Sequence, residues 1–176
     1  MPARNRKSMQ RESEPEPTNL LVLLRDAHRE IKLLLNEMDD ILDTPTAVFE
    51  LYPRIQSALR AHDTGENYAL YGPMREIPES SRLLRAAESA HAEIEGILCN
   101  LDRVPFRKEQ IHSAEWKRTF RSLQRQVIDH LRIEEEVIFP RLEHLLAQAR
   151  LESLGERYKR GLKGELGPLV PTEDVH

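Results

Sequence analysis

Apolar residues recur at spacings of three and four along most of the chain, which is the period of an amphipathic α-helix. The first helix is predicted from Thr18 to about Asp43. Thr44 and Pro45 follow as the N-cap and first position of a second helix. The inward stripe of the first helix comprises Leu20, Leu24, Ala27, Ile31, Leu34, Met38 and Ile41.

Three further helical stripes contain ionisable residues among the apolar ones. The second comprises Val48, Leu51, Ile55, Leu59, His62, Glu66 and Ala69, with Pro53 expected to kink or restart its helix. After a predicted loop over 71–81, the third comprises Leu84, Ala87, His91, Ile94, Leu98 and Leu101. Ser113 is predicted to cap the fourth helix, which is expected to kink at Pro140. Its stripe comprises Trp116, Phe120, Leu123, Val127, His130, Glu134, Val137 and Leu145.

Four helices of comparable length joined by short loops predict an all-α fold, an up-down-up-down four-helix bundle over residues 18–150. Residues 1–17 are polar, charged and proline-containing, which is typical of a disordered tail. Residues 151–176 are predicted to be a helix end and a mobile C-terminal tail. Four residues expected to loosen this end are Gly161, Gly164, Gly167 and Pro168.

Composition excludes several classes of partner. Lys and Arg number 26 against 30 Asp and Glu, for a formal net charge of −4, which argues against nucleic-acid binding. No apolar run approaches the roughly 18 residues of a membrane span, and the N-terminus lacks the apolar centre of a signal peptide. Cys99 is the one cysteine, so a reducing compartment is expected and the predicted location is the cytoplasm. Cys99 itself is expected to be a small buried residue.

The inward histidines and glutamates are the candidate chemistry. His62 with Glu66 and His130 with Glu134 are four residues apart, so each pair differs by about 40° around its helix and points the same way. The first helix adds His28, and the third adds His91 with Glu95 four residues later. Every predicted helix therefore directs one histidine towards the bundle axis.

Burying several ionisable groups without compensation would cost several kcal/mol per charge, which favours metal coordination. Four imidazoles and up to three carboxylates exceed one tetrahedral zinc site and suit two metals, with iron favoured and manganese or zinc possible. The alternatives are hydrogen-bonded core histidines in a metal-free structural bundle and solvated His-Glu pairs on helix faces. Glu95 could lie at the solvent edge, because Ile94 is the better stripe position. Glu135 and Glu136 are interpreted as surface or supporting groups.

Four segments resemble the hemerythrin-like, or HHE cation-binding, family over about residues 18–150. They are DAHREI, AHDTGENYALYGP, SAHAEIEGIL and DHLRIEEEVIFPRL. The resemblance implies a four-helix bundle with an oxo- or hydroxo-bridged centre of two non-heme iron ions. It also implies that Glu66 and Glu134 bridge the irons. The ligands implied here are His28, His62, Glu66, His91, His130 and Glu134.

Two departures from oxygen-carrying hemerythrins bear on function. Those proteins have a second histidine where this sequence has Glu95, and they space the last motif differently from His130 and Glu134. An anion in place of an imidazole would stabilise ferric iron, which favours oxidation over reversible oxygen release. The leading hypothesis is binding or reduction of oxygen, peroxide or nitric oxide, with catalytic residues and turnover left open. Tyr68 and Tyr71, beside Glu66, could be redox or gating groups or could pack with their hydroxyls at the rim.

A second hypothesis is an iron- or oxygen-sensing regulator, in which metal loss loosens the bundle and alters a partner contact. A homodimer is possible. The sequence leaves the physiological metal and ligand open.

Overall fold

A computed structural model describes residues 18–103 and 113–166. These residues are almost wholly helical and include no β-strand, which confirms the all-α prediction. No helix in these two ranges combines the length and the apolar character needed to cross a membrane. The predicted N-terminal tail and residues 167–176 lie outside the described residues. The α-helices are α1 (Leu20–Ile41), α2 (Pro45–Ala69), α3 (Tyr71–Arg75), α4 (Ser81–Arg103), α5 (Ala114–Ile133), α6 (Phe139–Leu145) and α7 (Gln148–Leu162).

Local capping explains where the long helices begin. Asn19 Oδ1 accepts a hydrogen bond from the backbone N–H of Leu21 at 2.9 Å, and Ser113 Oγ accepts one from Trp116 at 3.1 Å. The prediction that Ser113 caps the fourth long helix is thereby confirmed. Thr44 is the N-cap residue of α2 and Pro45 its first residue, as the sequence predicts, but the Thr44 side chain makes no capping hydrogen bond.

Two predictions about breaks in the chain differ from the structure. Helix α2 continues from Pro45 to Ala69 through Pro53, so of the predicted kink or restart at Pro53 the restart does not occur. The predicted loop over 71–81 contains α3 and a 3₁₀ turn, Pro78–Ser80, ahead of α4. Ser80 Oγ donates to the carbonyl oxygens of Met74 and Ile77, so the hydroxyl ties this turn to the end of α3.

A π-helical turn, Glu134–Ile138, joins α5 to α6. The backbone N–H of Phe139 bonds to the carbonyl of Glu134, five residues earlier, so the turn holds one more residue than an α-helical turn. The extra residue rotates the following side chains, and Ile138 and Phe139 are buried while Val137 is 46% exposed. Leu145 is 39% exposed as well, so the predictions that Val137 and Leu145 face inward are wrong.

The buried apolar side chains form two clusters with a polar layer between them. On α1 the layer residue is His28, between Leu24 of one cluster and Ile31 of the other. His62 and Glu66 on α2 have the same position between Leu59 and Ala69. On α4 it is His91, between Ala87 and Ile94, and on α5 and the π turn it is His130 and Glu134, between Val127 and Ile138.

Helix α7 packs against α1 and α2. This separate helix differs from the prediction of a helix end and a mobile tail over residues 151–176. Gly155 allows the close approach, since a Cβ atom there would lie 1.4 Å from the carbonyl oxygen of Thr18. Gly65 on α2 likewise leaves room for the ring of Tyr158. Helix α7 therefore covers the part of α2 that carries Glu66.

Candidate metal centre

Five side chains from three long helices and the π turn converge in the polar layer. One ligand-capable atom from each lies within 4.8 Å of all the others. Four of the five are buried and His91 is nearly so, with a side-chain exposure of 10%. The five are His62, Glu66, His91, His130 and Glu134.

Glu134 has an imidazole near each of its carboxylate oxygens. Its Oε2 lies 3.3 Å from Nε2 of His28 and 3.7 Å from Nε2 of His62. Its Oε1 lies 3.4 Å from Nε2 of His130, four residues earlier. His28 is therefore adjacent to the five-residue cluster through Glu134, although the cluster does not include it.

Glu66, like Glu134, has imidazole nitrogens close to its carboxylate. Its Oε2 lies 3.2 Å from Nε2 of His91 and 3.6 Å from Nε2 of His62. The hydroxyl of Tyr71 is 3.3 Å from the same oxygen and 3.0 Å from Nδ1 of His91. Tyr71 is buried, so its hydroxyl contacts the cluster, and the expectation that it reaches the rim is wrong.

Two carboxylates outside the cluster hold the far ring nitrogens of His28 and His91. Glu135 Oε1 lies 2.8 Å from Nδ1 of His28, and Lys32 Nζ bonds to both oxygens of Glu135 at 2.8 Å. Asp63 Oδ1 lies 2.5 Å from Nδ1 of His91. A carboxylate on one ring nitrogen fixes the tautomer and turns the other nitrogen towards the site, as in carboxylate–histidine–metal arrangements.

Several buried polar atoms of the layer have no hydrogen-bond partner among the described residues. They are Nε2 of His28, both ring nitrogens of His62, Oε1 of Glu66 and both carboxylate oxygens of Glu134. Unpaired buried donors and acceptors are costly and rare in native proteins. In addition, Nε2 of His91 lies 2.6 Å from Nε2 of His130, so both nitrogens face the same space. The residues therefore fit a centre in which metal ions accept these lone pairs.

Burial holds three of the imidazoles in the neutral form that binds metal. It lowers the pKa of His62 to about 4 and that of His130 to about 3, and it lowers the pKa of His28. Burial opposes ionisation of Glu66, but His62 and His91 outweigh it and lower the pKa of Glu66 to about 2. Neutral imidazoles beside an ionised carboxylate are the protonation states that metal coordination requires.

His91 and Glu134 differ from the others in their protonation. Burial lowers the pKa of His91, but the hydrogen bonds to Asp63 and Glu66 outweigh it and raise the pKa to about 9. Burial raises the pKa of Glu134 well above its usual range, and the neighbouring charge of Glu66 adds to the increase. Both side chains would give up a proton when they bind a metal, so metal affinity should rise with pH.

Of the predicted site residues, His28 is outside the five-residue cluster but contacts it through Glu134, whereas Glu95 makes no contact with it. The side chain of Glu95 is 51% exposed, with Oε1 3.5 Å from a guanidinium nitrogen of Arg60 and 3.4 Å from Sγ of Cys99. The Glu95 carboxylate therefore does not lie beside the cluster, and the expected stabilisation of ferric iron by this anion has no structural support. Cys99 is exposed, so the prediction that it is buried is wrong.

Asp63 and Lys32 are contacts of the site that were not among the residues predicted from the sequence. Asp63 is three residues before Glu66, and Lys32 is four residues after His28, so each shares a helix face with a predicted ligand. That spacing was the available signal. Glu135, interpreted as a surface or supporting group, contacts His28 and is 30% exposed.

Comparison with known families gives one match. Residues 19–142 match the family described as "Hemerythrin HHE cation binding domain". No curated protein sequence and no solved structure shows significant similarity to the chain. The matched segment includes every residue of the polar layer.

Proposed function

This chain belongs to the hemerythrin HHE cation-binding domain family, and we propose that its buried cluster binds two non-heme iron ions and reacts with a small oxidant, namely oxygen, peroxide or nitric oxide. The observation that carries the proposal is the set of buried, unpaired nitrogen and oxygen atoms contributed by α1, α2 and the π turn. Imidazole and carboxylate together suit iron, and manganese or zinc could also bind.

The proposed ligands are the five clustered residues with His28, and Glu66 and Glu134 are the carboxylates that could bridge two ions. Bound iron would supply the electrons and the binding position for the small molecule. The protein would supply orientation, because Glu135 and Asp63 hold the outer nitrogens of His28 and His91. Tyr71 would hold a proton on its hydroxyl, within 3.3 Å of Glu66.

We also propose that α1, α2, α4 and α5 form an up-down-up-down four-helix bundle. The order of the two apolar clusters along each helix supports it. Helices α1 and α4 pass from the apolar cluster that contains Leu24 and Ala87 to the one that contains Ile31 and Ile94. Helices α2 and α5 pass in the opposite sense, so consecutive long helices alternate in direction.

Purified protein loaded under reducing conditions is expected to contain about two irons per chain and to develop ferric absorption bands that respond to peroxide. His91→Ala should remove these bands and lower peroxide consumption more than about tenfold, because it deletes a ligand. His144→Ala is the control, since His144 is exposed on α6 and lies outside the cluster. An unchanged peroxide rate in His91→Ala would contradict the proposal.

A sensing role without turnover is the second candidate, and the buried charges favour it. Glu66 and Glu134 are 0% exposed and stand close together, so without metal burial and the charge of Glu66 raise the pKa of Glu134 well above its usual range, and keeping Glu134 protonated costs stability. Metal loss would then loosen the layer that joins the two apolar clusters and would alter a partner contact.

Chelation is expected to lower the melting temperature by about 10 °C, because metal at a large excess over its Kd stabilises a domain of this size by about 4 kcal/mol. Scanning calorimetry of iron-loaded and chelated protein at one pH measures this. Equal melting temperatures would count against a sensing role.

A further inference from the structure

A cavity of about 30 Å³ lies beside the candidate metal centre, between α2, α4 and α5. His91 and His130, with side chains 10% and 3% exposed, line its inner end. Ile94, Leu98 and Val127 form part of its apolar wall. A cavity of more than about 10 to 15 Å³ can hold a water-sized molecule, and apolar walls give water few partners. The cavity therefore suits a small molecule that needs no hydrogen bonds.

The outer end of the cavity is charged and half-exposed. Arg60 and Glu95 line it with side chains 49% and 51% exposed, and one nitrogen of Arg60 is 3.5 Å from Glu95 Oε1. The same guanidinium is 3.1 Å from Asp102 Oδ2, and Asp63 lines the cavity with a side chain 48% exposed. Glu95 and Asp63 line this end, and Asp102 lies behind Arg60 without lining the cavity. The three carboxylates outnumber Arg60 and the imidazole of His91 that pairs with Asp63, so the formal charge here is negative.

We propose that Glu95 and Asp63, with Asp102 paired to Arg60 behind them, form an anion-excluding mouth to this cavity, so that the metal centre receives uncharged diatomic molecules in preference to anions. The destination of the entering molecule rests on the proposed function, whereas the cavity and its mouth do not. Glu95 is then a residue that determines specificity from outside the metal centre.

Two physical effects act in the same direction. An anion approaching the mouth meets carboxylates at short range, and these interactions are weakly screened at low ionic strength. Beyond the mouth the apolar wall offers no hydrogen bonds to replace the hydration of a charged molecule. An uncharged diatomic molecule experiences neither cost.

Xenon tests the cavity independently of metal chemistry, since it is uncharged and binds apolar cavities. Crystals pressurised with xenon are expected to show an atom between Ile94 and Val127. Ile94→Phe should abolish that site by filling the space, while Glu95→Gln should retain it. Xenon bound elsewhere only, or unaffected by Ile94→Phe, would overturn the inference.

The mouth is tested on iron-loaded protein by stopped-flow mixing with azide and with nitric oxide. Glu95→Gln should raise the ratio of the azide to the nitric oxide association rate about threefold at low salt, with the gain shrinking at high salt. Glu93→Gln is the matched control, because Glu93 is an exposed residue of α4 that does not line the cavity. A ratio that does not change in Glu95→Gln would refute the anion-excluding mouth.

The two measurements separate this inference from the proposed function. An unchanged azide ratio in a protein with two irons would overturn the mouth alone. Xenon bound in the cavity of a protein that takes up no iron would overturn the proposed function and would support a site for uncharged molecules. Glu95→Gln changes an exposed side chain, so this test does not depend on whether Ile94→Phe folds.

Discussion

Gly155→Ala is expected to destabilise the protein by about 3 kcal/mol, because the new Cβ would overlap backbone that has no room to move aside. The atoms it would meet are the carbonyl oxygen of Thr18 at 1.4 Å and the backbone nitrogen of Leu20 at 3.0 Å. Thr18 is next to Asn19, which caps α1, so the backbone at Thr18 cannot shift without disturbing that cap. Urea denaturation followed by far-ultraviolet circular dichroism measures the loss.

Gly96→Ala is the matched control, since Gly96 is also inside a long helix and a Cβ there would meet nothing within 4 Å. Alanine in an open helical position is expected to stabilise by about 0.5 to 1 kcal/mol through its higher helix propensity. The same substitution at these two glycines should therefore change the free energy of unfolding in opposite directions. A stabilising effect of both would mean that α7 does not dock against α1 through Gly155.

The glycines near the C-terminus show why this docking could not be predicted. Gly161, taken as a signal of a loose end, lies inside α7, where a Cβ would be 2.6 Å from the ring of Tyr68. Gly164 has a φ of +69°, just after α7 ends, where a side chain would be strained. Sequence alone does not distinguish a glycine that permits close packing from one that interrupts a helix, because the difference depends on a distant neighbour.

The spacing of residues did predict which side chains come together. His62 and Glu66 share one helix face by local geometry, as do His130 and Glu134, whatever the helix packs against. Each pair also lies within an apolar stripe that must face the core, so the side chains of the pair must point into the core as well. The structure brings these four together with His91, and their ligand role stays a prediction.

Glu95 and Val137 mark the limits of that argument. Glu95 is at the edge of the apolar stripe of α4, where a rotation of the helix by a fraction of a turn decides between core and solvent, and tertiary packing sets that rotation. Val137 follows an extra residue in the π turn, and a stripe extrapolated at 3.6 residues per turn does not include such an insertion. Contacts across helices, such as Asp63 with His91, also require the packed structure.

Glu134→Gln is expected to have opposite effects on metal binding and on the stability of the chelated protein. The amide keeps the shape of the side chain but removes the negative charge that two metal ions would share, so iron content should fall by at least about tenfold. In chelated protein the same change removes a buried carboxyl group whose pKa is raised beside Glu66, and each pKa unit of such a shift costs about 1.4 kcal/mol once the pH exceeds the folded-state value.

The pH dependence fixes the sign of the stability effect. Because the pKa of Glu134 is raised in the folded protein, both states are protonated below the usual value of 4.5, and the folded state has no disadvantage there. As pH rises above that value, the unfolded chain releases this proton first, so chelated wild-type protein loses stability. The glutamine variant lacks this loss, and its advantage should therefore grow from acidic to neutral pH.

Glu136→Gln is the control, because Glu136 belongs to the same π turn but is exposed and 3.5 Å from Arg132. Its effect on the free energy of unfolding should be within about 0.5 kcal/mol at every pH, and iron content should not change. If Glu134→Gln instead destabilised the chelated protein at neutral pH, the carboxyl group would be a structural hydrogen-bonding group. If Glu134→Gln stabilises the chelated protein and lowers iron content, a single substitution would give a more stable metal-free core. Retention of glutamate at this position is then explained by selection for metal binding.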